Sequence, residues 1–261
     1  AGNVVTADMA QELVLSGADV VLECEPRLVS IFSRSFPEVK VVSNNGPKVG
    51  LYEDQFNFHS CLADIGCWLR TEEAAFSKDP FYLTVDPEKS LAIRERYLKR
   101  GGSLLVGVSW HSKSLNYDRK SVLLIDLKPI LETPLVTFVN LQYGDTEEER
   151  EALAAKTRIE LLHDVEIDQM ADIDMFAAQV AAMDLVVTIS NTTAHIAGAL
   201  GVPTFLMLDT IPIWYWMLDG EDSPWYPSLR LFRQQTRGEW GDVVEQVGEA
   251  LGRVQIALNE D

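Results

Sequence analysis

Val5, Met9, Leu13 and Val14 recur at helical spacing and predict an amphipathic helix over 4–15, closed by Gly17. A short β-rich run follows at 19–24. Pro26 then opens a second helical pattern carried by Leu28, Ile31 and Phe32, and 39–42 reads as another strand. This βαβ rhythm predicts a parallel sheet with helices on its faces. Periodicity fades over 43–85, which holds the turn cluster Asn44-Asn45-Gly46-Pro47 and the scattered aromatics Phe56, Phe58, Trp68, Phe76, Phe81 and Tyr82. A polar helix opened by Pro87 runs over 87–100, and Gly101-Gly102-Ser103 breaks the chain at the predicted domain boundary.

Beyond that break the alternation is more regular. Apolar runs at 104–109, 135–141, 159–161, 185–189, 204–208 and 229–232 predict strands, with helices near 125–132, 145–156, 173–182, 192–200 and 240–257. Strands separated by helices in this way predict a doubly wound α/β domain. No internal repeat or low-complexity tract interrupts it.

Composition narrows the function classes. The 261 residues are 47% hydrophobic and 24% charged, as in ordinary globular proteins, so disordered, collagen-like and disulfide-scaffold classes are excluded. The net charge of −18 argues against nucleic acid or an anionic membrane as partner. No apolar run reaches the roughly 18–20 residues needed to span a bilayer. Cys24, Cys61 and Cys67 form an odd set without CxxC, which suits a reducing, cytoplasmic setting, and no His accompanies them at metal-ligand spacing. The start, Ala1-Gly2-Asn3-Val4-Val5, lacks the basic and apolar regions of a signal peptide and reads as beginning inside a structural unit, with a first strand missing.

Two segments concentrate chemistry. In the run from Asp184 to Pro203 an apolar strand enters Ser190-Asn191-Thr192-Thr193, and a small-residue helix follows. Asn191 or Thr192 can cap that helix, and the remaining N–H groups and hydroxyls would face outward where parallel sheets bind ligands and helix starts bind phosphate. His195, one turn in, would add a donor, while Ala197, Gly198 and Ala199 would let the helix pack closely on the sheet. The second segment follows the strand at 104–109 and carries Ser109, His111, Ser112, Lys113, Arg119 and Lys120, a local cation excess in an acidic chain. Lys120 is placed to hold a diphosphate as a point charge. Against these stand the plainer readings of a helix cap and a solvated basic loop. The aromatic cluster Trp214, Tyr215, Trp216, Trp225 and Tyr226 reads either as core or as a stacking platform. The pairs Asp172/Asp174 and Glu221/Asp222 read as helix-start and loop charges, and the glycosylation sequon at Asn191 is at odds with a cytoplasmic setting. GxGxxG, P-loop, HExxH and GxSxG patterns are absent.

Gly107-Val-Ser-Trp110, Leu141-Gln-Tyr-Gly-Asp145, the run from Ser190 to Pro203 and Ser223-Pro-Trp-Tyr-Pro-Ser-Leu-Arg-Leu-Phe-Arg-Gln234 together resemble bacterial glycosyltransferase domains often found behind tetratricopeptide repeats. These are related to the lipopolysaccharide heptosyltransferases and, more distantly, to the O-linked N-acetylglucosamine transferases. The resemblance is dense over 103–236. It implies a GT-B fold, two Rossmann-like domains facing across a cleft: an acceptor-side domain over 1–101, a donor-binding domain over 102–239, and a C-terminal helix over 240–261 packing back toward the first domain. It also implies a metal-independent transfer from a nucleoside-diphosphate sugar, with no resident cofactor, to a glycan, lipid-linked or protein acceptor, in a longer tetratricopeptide-repeat protein. Ser109, Lys120, Asn191, Thr192, Thr193 and His195 match the donor-phosphate positions.

Two positions depart from that family. Asn3 stands where the heptosyltransferases carry the Asp proposed as base, and an amide takes no proton at neutral pH. His111 is then the nearby candidate for the base. Asn191 stands where an Asp commonly opens the phosphate helix. These departures motivate a rival reading, a catalytically silent module that binds nucleotide sugar or acts as a scaffold. A sugar-nucleotide epimerase of similar shape is a third, lacking identifiable paired carboxylates.

Overall fold

In the computed structural model, residues 2–45, 56–76, 81–101, 103–113 and 120–260 are described. Gly46 and Pro47 of the predicted turn, Gly102 of the predicted boundary and Arg119 of the basic segment lie outside them. In the first hundred residues β1 (Val21–Cys24) and β2 (Lys40–Ser43) pair in parallel across the connecting helix α3 (Val29–Ser35). Around them lie α1 (Gly2–Val5), α2 (Asp8–Leu15), α4 (Leu62–Leu69) and α5 (Pro87–Leu98). The helix predicted over 4–15 is therefore two pieces. At the break the Val4 carbonyl accepts the Ala7 N–H at 3.1 Å and the Tyr82 hydroxyl at 2.6 Å, so a donor from a distant segment occupies it.

The second sheet has five strands, β3 (Leu104–Ser109), β4 (Val136–Asn140), β5 (Leu185–Ile189), β6 (Thr204–Leu208) and β7 (Leu229–Arg233). All pair in parallel, in the order β4-β3-β5-β6-β7. Every residue of β3, β5 and β6 is buried. Their continuous apolar runs reflect a sheet covered on both faces. The strand expected at 159–161 reduces to a single parallel bridge between Val139 and Leu162.

Two apolar clusters sandwich this sheet. Leu104, Val106 and Val108 face one of them, together with α6 (Lys128–Leu131), α7 (Glu147–Thr157) and α10 (Gly241–Glu260). Leu105, Val186 and Leu206 face the other, with α8 (Ile173–Ala181) and α9 (Thr192–Ala199). The second cluster continues into Val4, Ile31, Phe32, Ile93 and Tyr97, so the described part of the first hundred residues shares a core with the larger sheet. Polar ties reinforce the seam: Arg94 pairs with Asp184 at 2.7 Å, Arg34 and Arg96 pair with Asp174 and Asp164, and the Tyr97 hydroxyl donates to Asp164 at 2.7 Å. The resemblance directs the last helix toward the first domain, but α10 buries Val243, Val247 and Leu251 in the cluster on α6, with Gly248 against the Pro129 carbonyl. Its apolar stripe matches the C-terminal sheet, and that match decides where it packs.

Candidate functional site

The strand order reverses between β3 and β5, since the chain leaves β3 toward β4 on one side and returns to β5 on the other. Open parallel sheets form a crevice at the carboxyl ends of strands at such a point. Here those ends are bolted together. Asn191 Nδ2 donates to Ser109 Oγ at 2.8 Å, and Ser109 Oγ donates to Gln142 Oε1 at 3.0 Å. Gln142 Oε1 also accepts the Trp110 and His111 N–H groups, each at 2.9 Å. Asn191 caps α9 as expected, its Oδ1 taking the Ala194 N–H at 3.4 Å and the Thr188 hydroxyl at 3.1 Å. Ser109 is wholly buried with its lone pair and its proton both engaged. The structure thus brings Ser109 and Asn191 together, but as the fastening beneath the site.

Thr192 and Thr193, the first residues of α9, line a pocket of about 170 Å³ with Arg27, Lys113 and Tyr143. Gln169, Met170 and Phe176 form its remaining wall. Thr193 Oγ1 and Gln169 Nε2 are buried there without a hydrogen-bond partner among the described residues. The helix start, the unpartnered Thr193 hydroxyl and two cations give this pocket the chemistry to hold an anion. Its volume falls below the roughly 300–1,000 Å³ of sites that enclose whole ligands, so it fits one charged part of a larger molecule. Lys113 is fixed from below, its N–H donating to the Tyr143 hydroxyl at 2.7 Å and its ammonium lying 5.8 Å from the Tyr143 ring centre. Arg27 comes from the turn after β1 and pairs with Glu25 at 2.8 Å.

Four expected participants are not among the described residues that line the pocket. The His195 ring is fully buried, stacked on Trp216 at 5.0 Å, edge-on to Tyr215, with Nδ1 3.0 Å from the Tyr226 hydroxyl. Burial holds its pKa down to about 3, so it is a neutral core residue and offers the pocket no donor. Lys120 is 5% exposed and does not line the pocket; Lys113 and Arg27 are the cations that do. Asn3 lies in α1, and its side chain is outside the described residues. His111 is the fourth. The Trp110 and His111 N–H groups can only donate, so the Gln142 atom they meet is Oε1. Gln142 Nε2 therefore faces His111 Nδ1, at 3.3 Å, and that nitrogen must accept. Burial also lowers the His111 pKa, leaving a neutral ring with its proton on Nε2. In that tautomer the basic nitrogen is Nδ1, and it is engaged by Gln142 Nε2.

An acid at position 191 is expected to harm this chain. Asn191→Asp keeps the cap acceptor but loses the donor to Ser109 and buries a charge, at a cost of about 1–3 kcal/mol. Urea denaturation reads the difference directly, and unchanged stability would show that the amide bolt is dispensable.

No family model matches the chain. Protein FlbA of Caulobacter vibrioides is 36% identical over 243 residues, 88% of this chain and 40% of that protein. Among solved structures, E. coli ADP-heptose lipopolysaccharide heptosyltransferase II superposes with a TM-score of 0.51 at 14% identity, over 71% of this chain and 57% of the other. A family 9 glycosyl transferase from Veillonella parvula gives 0.49 at 13% identity, over 69% and 55%. The fold is that of a GT-B glycosyltransferase. The chain spans less than two thirds of each of these proteins. Within this GT-B fold the pocket lies at the switch point of the five-stranded sheet, the place where Thr192 and Thr193 were expected from the sequence. Arg27, Gln142, Tyr143 and Gln169 were not singled out. Gln142 and Tyr143 stand in the Leu141–Asp145 motif, which was a signal; Arg27 and Gln169 carry none in the sequence.

Proposed function

We propose that the chain is a glycosyltransferase domain that moves a sugar from a nucleoside-diphosphate sugar to a glycan, lipid-linked or protein acceptor. The observation that carries this is the start of α9, with Thr193 Oγ1 unpartnered, opening between Lys113 and Arg27 in a chain of net charge −18. A diphosphate leaving group gains negative charge as the glycosidic bond breaks, and oriented N–H groups and cations stabilise that charge where it develops. In this reading no metal ion or resident cofactor is needed, because Lys113, Arg27 and the helix start do that work. Residues 102–239, with Arg27 reaching over from the first hundred residues, hold the donor, the rest of 1–101 belongs to the acceptor side, and the domain acts in the cytoplasm within a longer tetratricopeptide-repeat protein. No described helix is long and apolar enough to cross a membrane.

Calorimetry with UDP-, ADP- and GDP-sugars tests the pocket. Thr192→Ala combined with Lys113→Ala is expected to weaken binding at least tenfold, about 1.4 kcal/mol. Unchanged affinity would refute the assignment. Asn3 and the His111 tautomer favour a second reading, a module that binds nucleotide sugar without turning it over. Donor hydrolysis or transfer by the purified protein above background excludes that reading.

A further inference from the structure

We infer that Gln169 is a specificity-determining residue that takes a hydrogen-bond acceptor of the donor beyond its diphosphate, an inference that rests on the nucleotide-sugar reading of the pocket. Gln169 is 8% exposed and lines the pocket, and its Nε2 has no partner among the described residues. A buried amide donor left unpaired costs free energy that a ligand acceptor restores, so an analogue lacking that acceptor is rejected. The donor is held in place by its own turn. Asp168 Oδ1 accepts the Met170 and Ala171 N–H groups at 2.8 and 3.0 Å, and Asp172 Oδ1 accepts those of Asp174 and Met175, each at 3.0 Å, at the start of α8. Gln169 and Met170 are thus presented on a fastened loop, and little ordering is needed on binding.

The chemistry of the wall defines what is read. Thr192, Thr193 and Lys113 supply the anion-binding part. Met170 and Phe176 add apolar surface, which accepts the face of a base or the C–H face of a sugar ring but gives a phosphate nothing. An oxygen or ring nitrogen on such a flat group is the partner that Nε2 lacks. The shared chemistry is an acceptor atom on a nucleoside or on the sugar, and the ligand series separates the two.

The experiment titrates the full chain with inorganic pyrophosphate, a panel of nucleoside diphosphates and the corresponding nucleotide sugars, for wild type, Gln169→Met and Gln169→Glu. Gln169→Met is expected to leave pyrophosphate affinity within twofold and to weaken the larger ligand about tenfold, with Gln169→Glu weaker still. A loss already present with the nucleoside diphosphate places the acceptor on the nucleoside; a loss confined to the conjugate places it on the sugar. Equal losses for pyrophosphate, or none for any ligand, would overturn the inference while leaving the pocket assignment intact. Wild type binding none of the three series would overturn the donor-pocket reading and this inference with it. The melting temperature of ligand-free Gln169→Met should match or exceed wild type, because an unpaired donor has been removed; a clear drop would make Gln169 structural and end the proposal.

Discussion

Replacing Arg70 with methionine is expected to destabilise the protein by about 3–5 kcal/mol, the usual cost of stranding one partner of a buried ion pair. The Arg70 side chain is 3% exposed at the end of α4. One guanidinium nitrogen donates to Asp8 at 2.6 Å, the other to the carbonyls of Leu69 and Ala75 at 3.1 and 3.2 Å, and both reach Glu12. The same group lies 5.7 Å from the Phe76 ring centre and 6.0 Å from that of Trp225. It therefore joins α2, the end of α4, the 73–75 turn and the C-terminal unit at one point. Methionine fills much of the volume and supplies none of the donors. Urea denaturation should show the loss, and Asp8→Asn added to Arg70→Met should recover part of it.

The acid limb of that experiment identifies the stranded charge. Burial already raises the Asp8 pKa above its ordinary 3.8, against the opposing pull of Arg70. A carboxyl whose folded pKa exceeds its unfolded one binds more protons when folded, so acid relieves its cost. Without Arg70 the shift grows. The stability gap between Arg70→Met and wild type should then narrow as pH falls from 7 toward 4, and Asp8→Asn should abolish the narrowing. A gap independent of pH would assign the loss to packing and backbone contacts instead.

The central strands were legible because parallel strands buried on both faces read as nearly continuous apolar runs, as 104–109 and 185–189 do. α4 was not, since it is short and none of its residues is buried. The start of α9 was legible through its capping chemistry, which is local. The rest of the pocket is not local: Arg27, Lys113, Gln169 and Thr193 meet only through the crossover topology, and no spacing encodes that. His195 shows the converse error. Its place in the first turn of α9 suggested an outward donor, but the decisive signal was the aromatic cluster downstream. Tyr215, Trp216 and Tyr226 are buried around it, so the plain core reading of that cluster holds, with Trp214 exposed at its edge.

Gly198→Val is expected to lower stability by about 3 kcal/mol through overpacking of a filled core. A Cβ at Gly198 would stand 2.5, 2.7 and 2.9 Å from the Cγ, Cδ1 and Cβ of Tyr226. The sequence suggested that small residues here let the helix approach the sheet; for Gly198 the close neighbour is an aromatic ring. That ring cannot yield cheaply. It is fully buried, its hydroxyl meets His195 at 3.0 Å and Tyr82 at 3.4 Å, and Tyr82 is anchored on the Val4 carbonyl. Displacing Tyr226 therefore disturbs α9 and the seam with the first hundred residues at once. At about 2–4 °C per kcal/mol for a chain of this size, thermal denaturation should fall by roughly 6–12 °C. Gly252→Ala is the matching control. Gly252 sits in α10 with nothing within 4 Å of a built Cβ, so alanine should stabilise by about 0.5–1 kcal/mol through helix propensity alone. If both substitutions move the melting temperature in the same direction, the Tyr226 contact is not what demands glycine at 198.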